Sequence, residues 1–280
     1  MSGTLYLVGT PIGNLGDLSP RGAETLRGVD FIAAEDTRVS LKLLNHFGIK
    51  KPLLSYFAHN RTERGAEIIG RLLAGESCAL ITDAGMPVVS DPGEELVALS
   101  AAHDIPVICV PGPAAFVTAL ALSGLPVGRF TFEGFLSTAT KSRRDHLASL
   151  REERRAMVFY EAPHKLPYTL RDMLAAWGDR RVALCRELTK RYEETIRTTL
   201  AEAAARYAAE KPRGEFVLVI EGAPPSEPTE DGALLAQALE RLRALTAAGA
   251  SLKDAARQTA DETGFAKNLL YTEALNERRD

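Results

Sequence analysis

The chain has few cysteines, and their placement excludes two kinds of protein. Its 280 residues include only Cys78, Cys109 and Cys185, which are far apart and lie in apolar segments. This pattern is typical of buried thiols, and it argues against a disulfide framework or a cysteine metal site. We therefore expect a reducing compartment, the cytoplasm, and no metal.

An excess of charge and a long apolar run are also missing. The net charge of −3 comes from 34 basic and 37 acidic residues, which excludes a polybasic nucleic-acid binder and leaves only local patches for RNA or DNA. No segment reaches the ~20 apolar residues of a membrane span. The first residues, MSGTLYLVGTPIGN, lack the basic and apolar regions of a secretory signal. We expect neither membrane insertion nor export.

The commonest nucleotide-binding motifs are absent as well. The loop GTPIGNLGD places glycines at Gly9, Gly13 and Gly16, with Pro11 in the turn, which is not a dinucleotide fingerprint. No glycine-rich loop is followed by GK[ST], so a P-loop is excluded too. Any ligand must be held in another way.

The pattern that is present predicts an α/β fold. Short apolar runs at residues 5–8, 31–34, 53–56, 78–82 and 107–110 alternate with helical periods, which predicts a largely parallel sheet covered by helices. Further runs at 131–135, 157–160, 182–186, 195–199 and 216–220 predict a second α/β domain with some antiparallel pairing.

The domain boundaries follow from changes in this pattern. We predict an N-terminal α/β domain over residues 1–125 and a second α/β domain over 126–222. The proline-rich, acidic segment 223–232 reads as a linker. Residues 233–280 are alanine-rich and helical, and the break at Gly264 is typical of a helix-turn-helix.

Two Gly/Pro-rich loops follow predicted strands and indicate a shared pocket. They are residues 9–17 and the segment ITDAGMPVVSDPG at 81–93, which contains Asp83 and Asp91. Open α/β sheets bind ligands at the carboxyl ends of their strands, and glycine lets the backbone approach a ligand. The alternative is that these residues only form turns, with Asp83 as a cap or turn aspartate.

Specific motifs extend along the whole chain. They are GTPIGNLGDLSPRG, AAEDTR, ITDAGMPVVSDPG, VPGPAAFVTALALSGLP, FEGFL, VFYEAPHK, CRELTKRYEE and RGEFVLVIEG. In order and spacing they resemble the bacterial ribosomal RNA small subunit methyltransferase I family, of the tetrapyrrole methylase superfamily.

The resemblance implies a fold, a reaction and partners. It implies two α/β domains of the tetrapyrrole methylase type, with S-adenosylmethionine in the cleft between them. The implied reaction methylates the ribose 2′-hydroxyl of a cytidine in the decoding region of small-subunit (16S) rRNA. Small ribosomal subunit RNA is the implied partner, and relatives are generally homodimers. The residues implied to touch the cofactor are Pro11, Asp83, Met86, Pro87, Ala114, Ala115, Tyr160, Cys185 and Gly214.

A ribose hydroxyl is a poor nucleophile, so the reaction needs alignment of the reacting atoms and a base. Candidate bases and orienting groups lie in FYEAPHK and CRELTK, and are Glu161, His164, Lys165, Arg186, Glu187 and Lys190. We predict Lys165 or Glu161 as the base, with Arg186 as a further catalytic group. The alternative is that these residues form a structural ion-pair network.

RNA binding requires positive charge near the cleft. The stretch from Lys141 to Arg155 is the densest basic segment, and the predicted contacts are Lys141, Arg143, Arg144, Arg38 and Arg61. The alternative for this stretch is a solvated helix face.

Two other functions compete with rRNA methylation. The superfamily resemblance also allows a methyltransferase that acts on a porphyrin-like small molecule. The predicted C-terminal helix-turn-helix allows a nucleic-acid-binding regulator that is not an enzyme.

Overall fold

The computed structural model describes residues 2–225 and 230–276, and it describes no side chains for 230–233. The chain divides into two compact units, Met1–Ala223 and Pro224–Asp280. The first unit contains two β-sheets, and the second is helical.

The first sheet is built from the short apolar runs. Its strands are β1 (Leu5–Val8), β2 (Phe31–Ala34), β3 (Leu53–Ser55), β4 (Cys78–Ile81) and β5 (Val107–Val110). All pairs are parallel, in the order β3-β2-β4-β1-β5. The helices that follow the first four strands are α1 (Pro20–Gly28), α2 (Thr37–His46), α3 (Arg61–Leu73) and α4 (Glu94–Ala102). The predicted parallel sheet is confirmed, and its central strands are apolar throughout because both faces are covered.

The prediction of three buried thiols is wrong for one cysteine. Cys78 and Cys185 are buried, whereas Cys109 is exposed. Cys109 lies on β5, the edge strand, where Ile108 is also 43% exposed. An apolar run therefore does not ensure burial at a sheet edge, where one side of the strand has no neighbour.

The second sheet is mixed, as the pattern predicts. It consists of β6 (Phe130–Phe135), β7 (Ala156–Glu161), β8 (Arg181–Arg186), β9 (Glu194–Thr199) and β10 (Phe216–Ile220). The order is β6-β7-β10-β8-β9, with β6 and β7 parallel and the other pairs antiparallel. The remaining helices of this unit are α5 (Ala115–Ser123), α6 (Thr140–Ser149), α7 (Leu166–Trp177) and α8 (Leu200–Ala209).

Helix α5 connects the two sheets. It begins directly after the loop that leaves β5, and its buried residues Ala119 and Leu120 pack with Val158, Val217 and Val219 of the second sheet. The apolar contact fixes the β5 loop against the strands of the second sheet.

The helical unit consists of α9 (Glu230–Ala247), α10 (Leu252–Thr263) and α11 (Lys267–Asn276). Apolar side chains of the three helices form its core. The hydroxyl of Ser251 caps α10, and Gly264, with φ of 79°, ends it. Of the predicted linker, residues 226–229 lie outside the described residues. None of the helices in the described ranges combines the length and apolar character that a membrane crossing requires.

Candidate functional site

Three strand-end loops of the first sheet meet at one place. Thr10 and Gly85 exchange two backbone hydrogen bonds, of 2.8 and 3.1 Å, which join the loops after β1 and β4. A Cβ atom built on Gly9 would lie 2.6 Å from the Cα of Gly112, in the loop after β5. Only glycine allows the loops to approach this closely.

A cavity of about 540 Å³ opens beside this junction. One wall comes from the carboxyl ends of the first sheet, and the other from the second sheet and from the segment that follows β8. Its size falls within the range of sites for small molecules.

The structure brings most of the predicted cofactor residues to this cavity. Those that line it are Asp83, Met86, Ala114, Ala115, Tyr160 and Cys185. The other three do not line it but are adjacent in sequence to residues that do, and they are Pro11, Pro87 and Gly214. Gly214, with φ of 81°, is essential to the packing there, because a Cβ atom would lie 2.5 Å from the Cγ of Glu187.

The predicted catalytic residues are not brought together. Lys165 and Arg186 do not line the cavity, and Arg186 instead pairs with Glu194 at 3.4 Å. Glu161 contributes to the wall, but its carboxylate accepts hydrogen bonds from Thr169 Oγ1 at 2.6 Å and from the backbone N of Ala162 at 2.9 Å. These bonds fix the turn after β7 and occupy both oxygens.

The wall formed by the first sheet is acidic. Glu35, Asp83 and Asp91 line it, and the hydroxyl of Thr82 donates to Glu35 Oε2 at 2.8 Å. Burial, together with the charge of Glu35, raises the pKa of Asp91 to about 6. The pKa of Asp83 is raised as well, mainly because the surrounding wall partly desolvates a side chain that is otherwise exposed, although its carboxylate accepts a hydrogen bond from the backbone N of Asp36 at 3.2 Å.

The opposite wall carries one cation between two carboxylates. Lys190 Nζ lies 3.0 Å from Glu187 Oε1 and 2.8 Å from Glu215 Oε2. Burial opposes ionisation of Glu187, but the hydrogen bonds from Lys190 and from the backbone of Glu215 lower its pKa. The Lys190 charge is therefore already compensated within the chain.

Unfavourable backbone conformations border both walls. Val88, Ser90, Glu187 and Thr189 have φ values of 79°, 64°, 51° and 65°. Residues other than glycine rarely adopt positive φ angles, and β-branched residues do so least of all. Backbone strain of this kind concentrates at functional sites. Among the described residues, Asp104 is the other non-glycine residue of this type.

The lining fits S-adenosylmethionine by its chemistry. Apolar surface is available for a purine from Ile12, Met86, Ala114, Ala115 and Leu188. Apart from Tyr160 and Cys185, the ionisable side chains of the lining are six carboxylates and one lysine, namely Glu35, Asp83, Asp91, Glu161, Glu187, Glu215 and Lys190. Carboxylates accept hydrogen bonds from ribose hydroxyls and attract a sulfonium cation, whereas they repel a polyphosphate. Within the described ranges, no group of three or more His, Cys, Asp or Glu side chains is arranged to hold a metal ion.

The structure corrects the prediction for Arg143. This residue lies on α6 but is only 4% exposed, and its guanidinium forms an ion pair of 2.7 Å with the buried Asp172. It is therefore held inside the fold and cannot meet a phosphate at the surface. The other predicted RNA contacts, Lys141, Arg144, Arg38 and Arg61, are exposed. Of these, Arg38 is near enough to Asp83 for their charges to interact.

Several lining residues were missing from the sequence-based site. Glu35 follows β2 directly, and Asp83 follows β4 after one residue. Ligands bind at the carboxyl ends of parallel strands, so this signal could have identified Glu35 as it identified Asp83. Phe135 ends β6 and lies in the motif FEGFL, but its position at the cavity depends on contacts between the sheets. Glu215 likewise reaches the cavity through the pairing of β10 with β8.

Comparisons with known proteins agree on one family. A family model described as Tetrapyrrole (Corrin/Porphyrin) Methylases matches residues 4–204. A Synechocystis protein named ribosomal RNA small subunit methyltransferase I is 48% identical over 280 residues, covering 99% of each chain. A Thermotoga maritima protein of the same name is 48% identical over 79% of this chain and 99% of its own length.

A solved structure with the same fold is uroporphyrin-III-C-methyltransferase from Thermus thermophilus. It has a TM-score of 0.56 and 19% identity, and the match covers 78% of this chain and 94% of that one. At this identity the likeness concerns the fold alone.

Proposed function

This chain belongs to the tetrapyrrole (corrin/porphyrin) methylase family and to its ribosomal RNA small subunit methyltransferase I members, and we propose that it methylates small-subunit rRNA with S-adenosylmethionine. The proposed acceptor is the ribose 2′-hydroxyl of a cytidine in the decoding region. The observation that carries the proposal is the 48% identity over 99% of both chains. The composition of the cavity supports the choice of cofactor.

Residues on both walls would hold the cofactor. Asp83 offers a carboxylate to its hydroxyl or amino groups, and Ala114 and Ala115 leave room at the first turn of α5. Tyr160 is fixed because its hydroxyl accepts a hydrogen bond from the backbone N of Phe116 at 3.3 Å. When bound, S-adenosylmethionine supplies an activated methyl group on a sulfonium. The protein's contribution is then to align the acceptor oxygen and to remove its proton.

A ring-carboxylate substrate fits this cavity poorly. Porphyrin-like rings of the uroporphyrin type carry carboxylate side chains, and the cavity lining is rich in carboxylates, with Lys190 already paired to Glu187 and Glu215. Like charges at close range disfavour binding. The acidic lining therefore argues against a polycarboxylate ring inside the cavity. An RNA substrate would place its uncharged ribose there and keep its phosphates outside.

The test offers both substrate classes to the same enzyme. Purified protein is incubated with methyl-labelled S-adenosylmethionine and either unmodified small ribosomal subunits or uroporphyrinogen. The proposal predicts label in RNA only. Label in the tetrapyrrole only, or cofactor binding with no transfer to either, would contradict it. Specific binding of duplex DNA without turnover would instead support the regulator.

Asp83→Ala should weaken cofactor binding without loss of folding. Removing one hydrogen-bonding carboxylate is expected to raise the Kd for S-adenosylmethionine by about tenfold, which corresponds to about 1.4 kcal/mol. Isothermal titration calorimetry measures the Kd, and circular dichroism checks the fold. Because Asp83 is exposed, unfolding of the variant would show that its role is structural.

Phe135→Ala should weaken RNA binding and leave cofactor affinity unchanged. Phe135 lines the cavity, is 57% exposed, and packs edge-on against Tyr160 with ring centroids 5.4 Å apart. An exposed ring beside a cavity offers a surface for an unstacked base, and such stacking contributes about 1–3 kcal/mol per base. We expect KM for the subunit to rise at least fivefold. Phe57→Ala, on another exposed ring (37%) outside the lining, is the control, and equal effects would refute stacking by Phe135.

The cytoplasm is the proposed location, since rRNA is found there. We also propose a homodimer formed through the unit Met1–Ala223. This unit exposes the apolar side chains Ile108 (43%), Val117 (53%) and Phe130 (40%), which supports association with a second copy.

A further inference from the structure

The backbone fixes the position of Asp91 at the cavity, but the predicted site assigns no function to its carboxylate. It lines the cavity, is half-buried, and follows Ser90, whose φ of 64° is unfavourable. On its other side, Gly93 has φ of 140°, and a Cβ atom there would lie 2.8 Å from Leu80 Cδ2. The chain thus adopts two unusual conformations within four residues, and they direct this segment along the cavity wall.

Within the part of the chain that the structure describes, the carboxylate of Asp91 has no paired cation. Among the ion pairs of residues 2–225 and 230–276, none includes Asp91. The hydroxyl of the neighbouring Thr82 lies 2.8 Å from Glu35 Oε2, to which it donates, and it is also within hydrogen-bonding reach of Asp91, which limits the rise of the Asp91 pKa. A carboxylate has about four acceptor sites, so one contact with Thr82 leaves Asp91 lone pairs for a ligand in the cavity. Burying a charge without a counter-ion costs stability.

The other carboxylates of the cavity, and its lysine, have partners within the chain at hydrogen-bond distance. Asp83 accepts from the backbone N of Asp36 at 3.2 Å. Glu161 accepts from Thr169 and from the Ala162 backbone, and Glu35 accepts from Thr82. Lys190 donates to Glu187 and Glu215. A proton acceptor must be free to contact the hydroxyl it deprotonates.

We propose that Asp91 is the catalytic base, and that its carboxylate accepts the proton of the ribose hydroxyl during methyl transfer. The proposal rests on the proposed function. The acceptor oxygen forms a bond to the methyl carbon as the carbon–sulfur bond breaks, and the sulfonium becomes a neutral thioether. The proton of the hydroxyl passes to Asp91 and then to solvent. No oxidant, reductant or further reactant is needed.

The electrostatic surroundings suit this role at neutral pH. Burial and the nearby charges of Glu35 and Asp83 raise the pKa of Asp91 to about 6. Tyr160 also faces it, and across the cavity lie Glu161, Glu187, Lys190 and Glu215. Above pH 6 the carboxylate is ionised yet more basic than an ordinary aspartate. We expect kcat/KM to fall about tenfold per pH unit below this value and to level off above it.

The first test is Asp91→Asn, which keeps the size of the side chain and removes the basic oxygen. We expect kcat on small ribosomal subunits to fall by about 10²- to 10⁴-fold, with the Kd for S-adenosylmethionine and the binding of the subunit changed less than threefold. Asp91→Glu should recover part of the rate. The matched control is Asp104→Asn, an exposed aspartate that also has positive φ (54°) and lies outside the cavity lining; it should keep full activity.

The second test does not depend on activity. The ordinary pKa of an aspartate is 3.8, and that of folded Asp91 is about 6. Below about pH 4 the carboxyl is protonated in the folded and the unfolded protein, and it does not affect the free energy of unfolding. Between about pH 4 and 6 it ionises more readily in the unfolded protein, so it lowers the free energy of unfolding progressively. Above about pH 6 this loss stays constant. Asp91→Asn should raise Tm at pH 7.5 by about 2 °C or more, with little change at pH 4. Carbon-13 NMR of labelled aspartate should lose a carboxyl titrating near pH 6.

The outcomes separate this proposal from the proposed function. If the wild-type enzyme methylates RNA and Asp91→Asn has the same kcat, the proposed role of Asp91 is wrong and the proposed function stands. Loss of cofactor affinity with unchanged kcat makes Asp91 a cofactor ligand and also overturns its role as the base. A lower Tm for Asp91→Asn at pH 7.5 would show a structural role. Wild-type enzyme without RNA methylation refutes the proposed function itself.

Discussion

Asp172→Ala is expected to lower the free energy of unfolding by about 3–5 kcal/mol. The Asp172 side chain is 3% exposed and pairs with Arg143, which is 5% exposed, at 2.7 Å. Arg143 also donates to the carbonyl oxygens of Ser137 and Thr138 at 3.3 Å. Removal of the carboxylate leaves the guanidinium charge buried without its counter-ion, which is the costly case for an ion pair.

Urea denaturation followed by circular dichroism measures this loss. The matched control is Asp145→Ala, on the same helix α6 but exposed, which should change stability by less than about 0.5 kcal/mol. If Asp172→Ala lost less than about 1 kcal/mol and instead weakened RNA binding, the assignment of Arg143 to the fold would be wrong. In that case its predicted role as an RNA contact would return.

Ala115→Trp is expected to raise the Kd for S-adenosylmethionine by at least about 100-fold, or about 2.7 kcal/mol. Ala115 opens α5 and lines the cavity, so an indole at this position takes up space that the cofactor needs. The variant should still fold, because its added volume enters an open cavity instead of a packed core.

Fluorescence or calorimetric titration measures this Kd. Ala98→Trp places the same side chain at an exposed position of α4 and should bind the cofactor as the wild type does. Wild-type affinity in Ala115→Trp would show that the cofactor does not occupy this part of the cavity. Unfolding of both variants would mean only that Trp is not tolerated in helices, and Ala115→Leu then tests the cavity with a smaller side chain.

Local sequence patterns predict the features that depend on neighbouring residues alone. The strands of both sheets follow from short apolar runs, and the loops after β1 and β4 follow from glycine and proline at strand ends. The meeting of these loops at Thr10 and Gly85 agrees with the rule that ligand crevices form at the carboxyl edge of a parallel sheet.

The remaining features depend on distant partners. Arg143 stands in a basic segment that is typical of a solvated surface, but Asp172, 29 residues further along the chain, draws it into the fold. Lys165 and Arg186 belong to polar motifs near Glu161 and Cys185, yet they do not line the cavity. Which side of a strand or turn faces a cavity is decided by the pairing and packing of the sheets, and a sequence pattern does not record it.

The position and chemistry of the transferred methyl group decide directly whether this protein is a ribose methyltransferase of small-subunit rRNA. Small ribosomal subunits that lack the modification are treated with the protein and labelled S-adenosylmethionine, and the RNA is then cleaved with alkali. Because a 2′-O-methyl group removes the nucleophile of alkaline cleavage, we predict label at one cytidine of the decoding region and no cleavage on its 3′ side. Label on a base, with cleavage unchanged, would contradict ribose methylation.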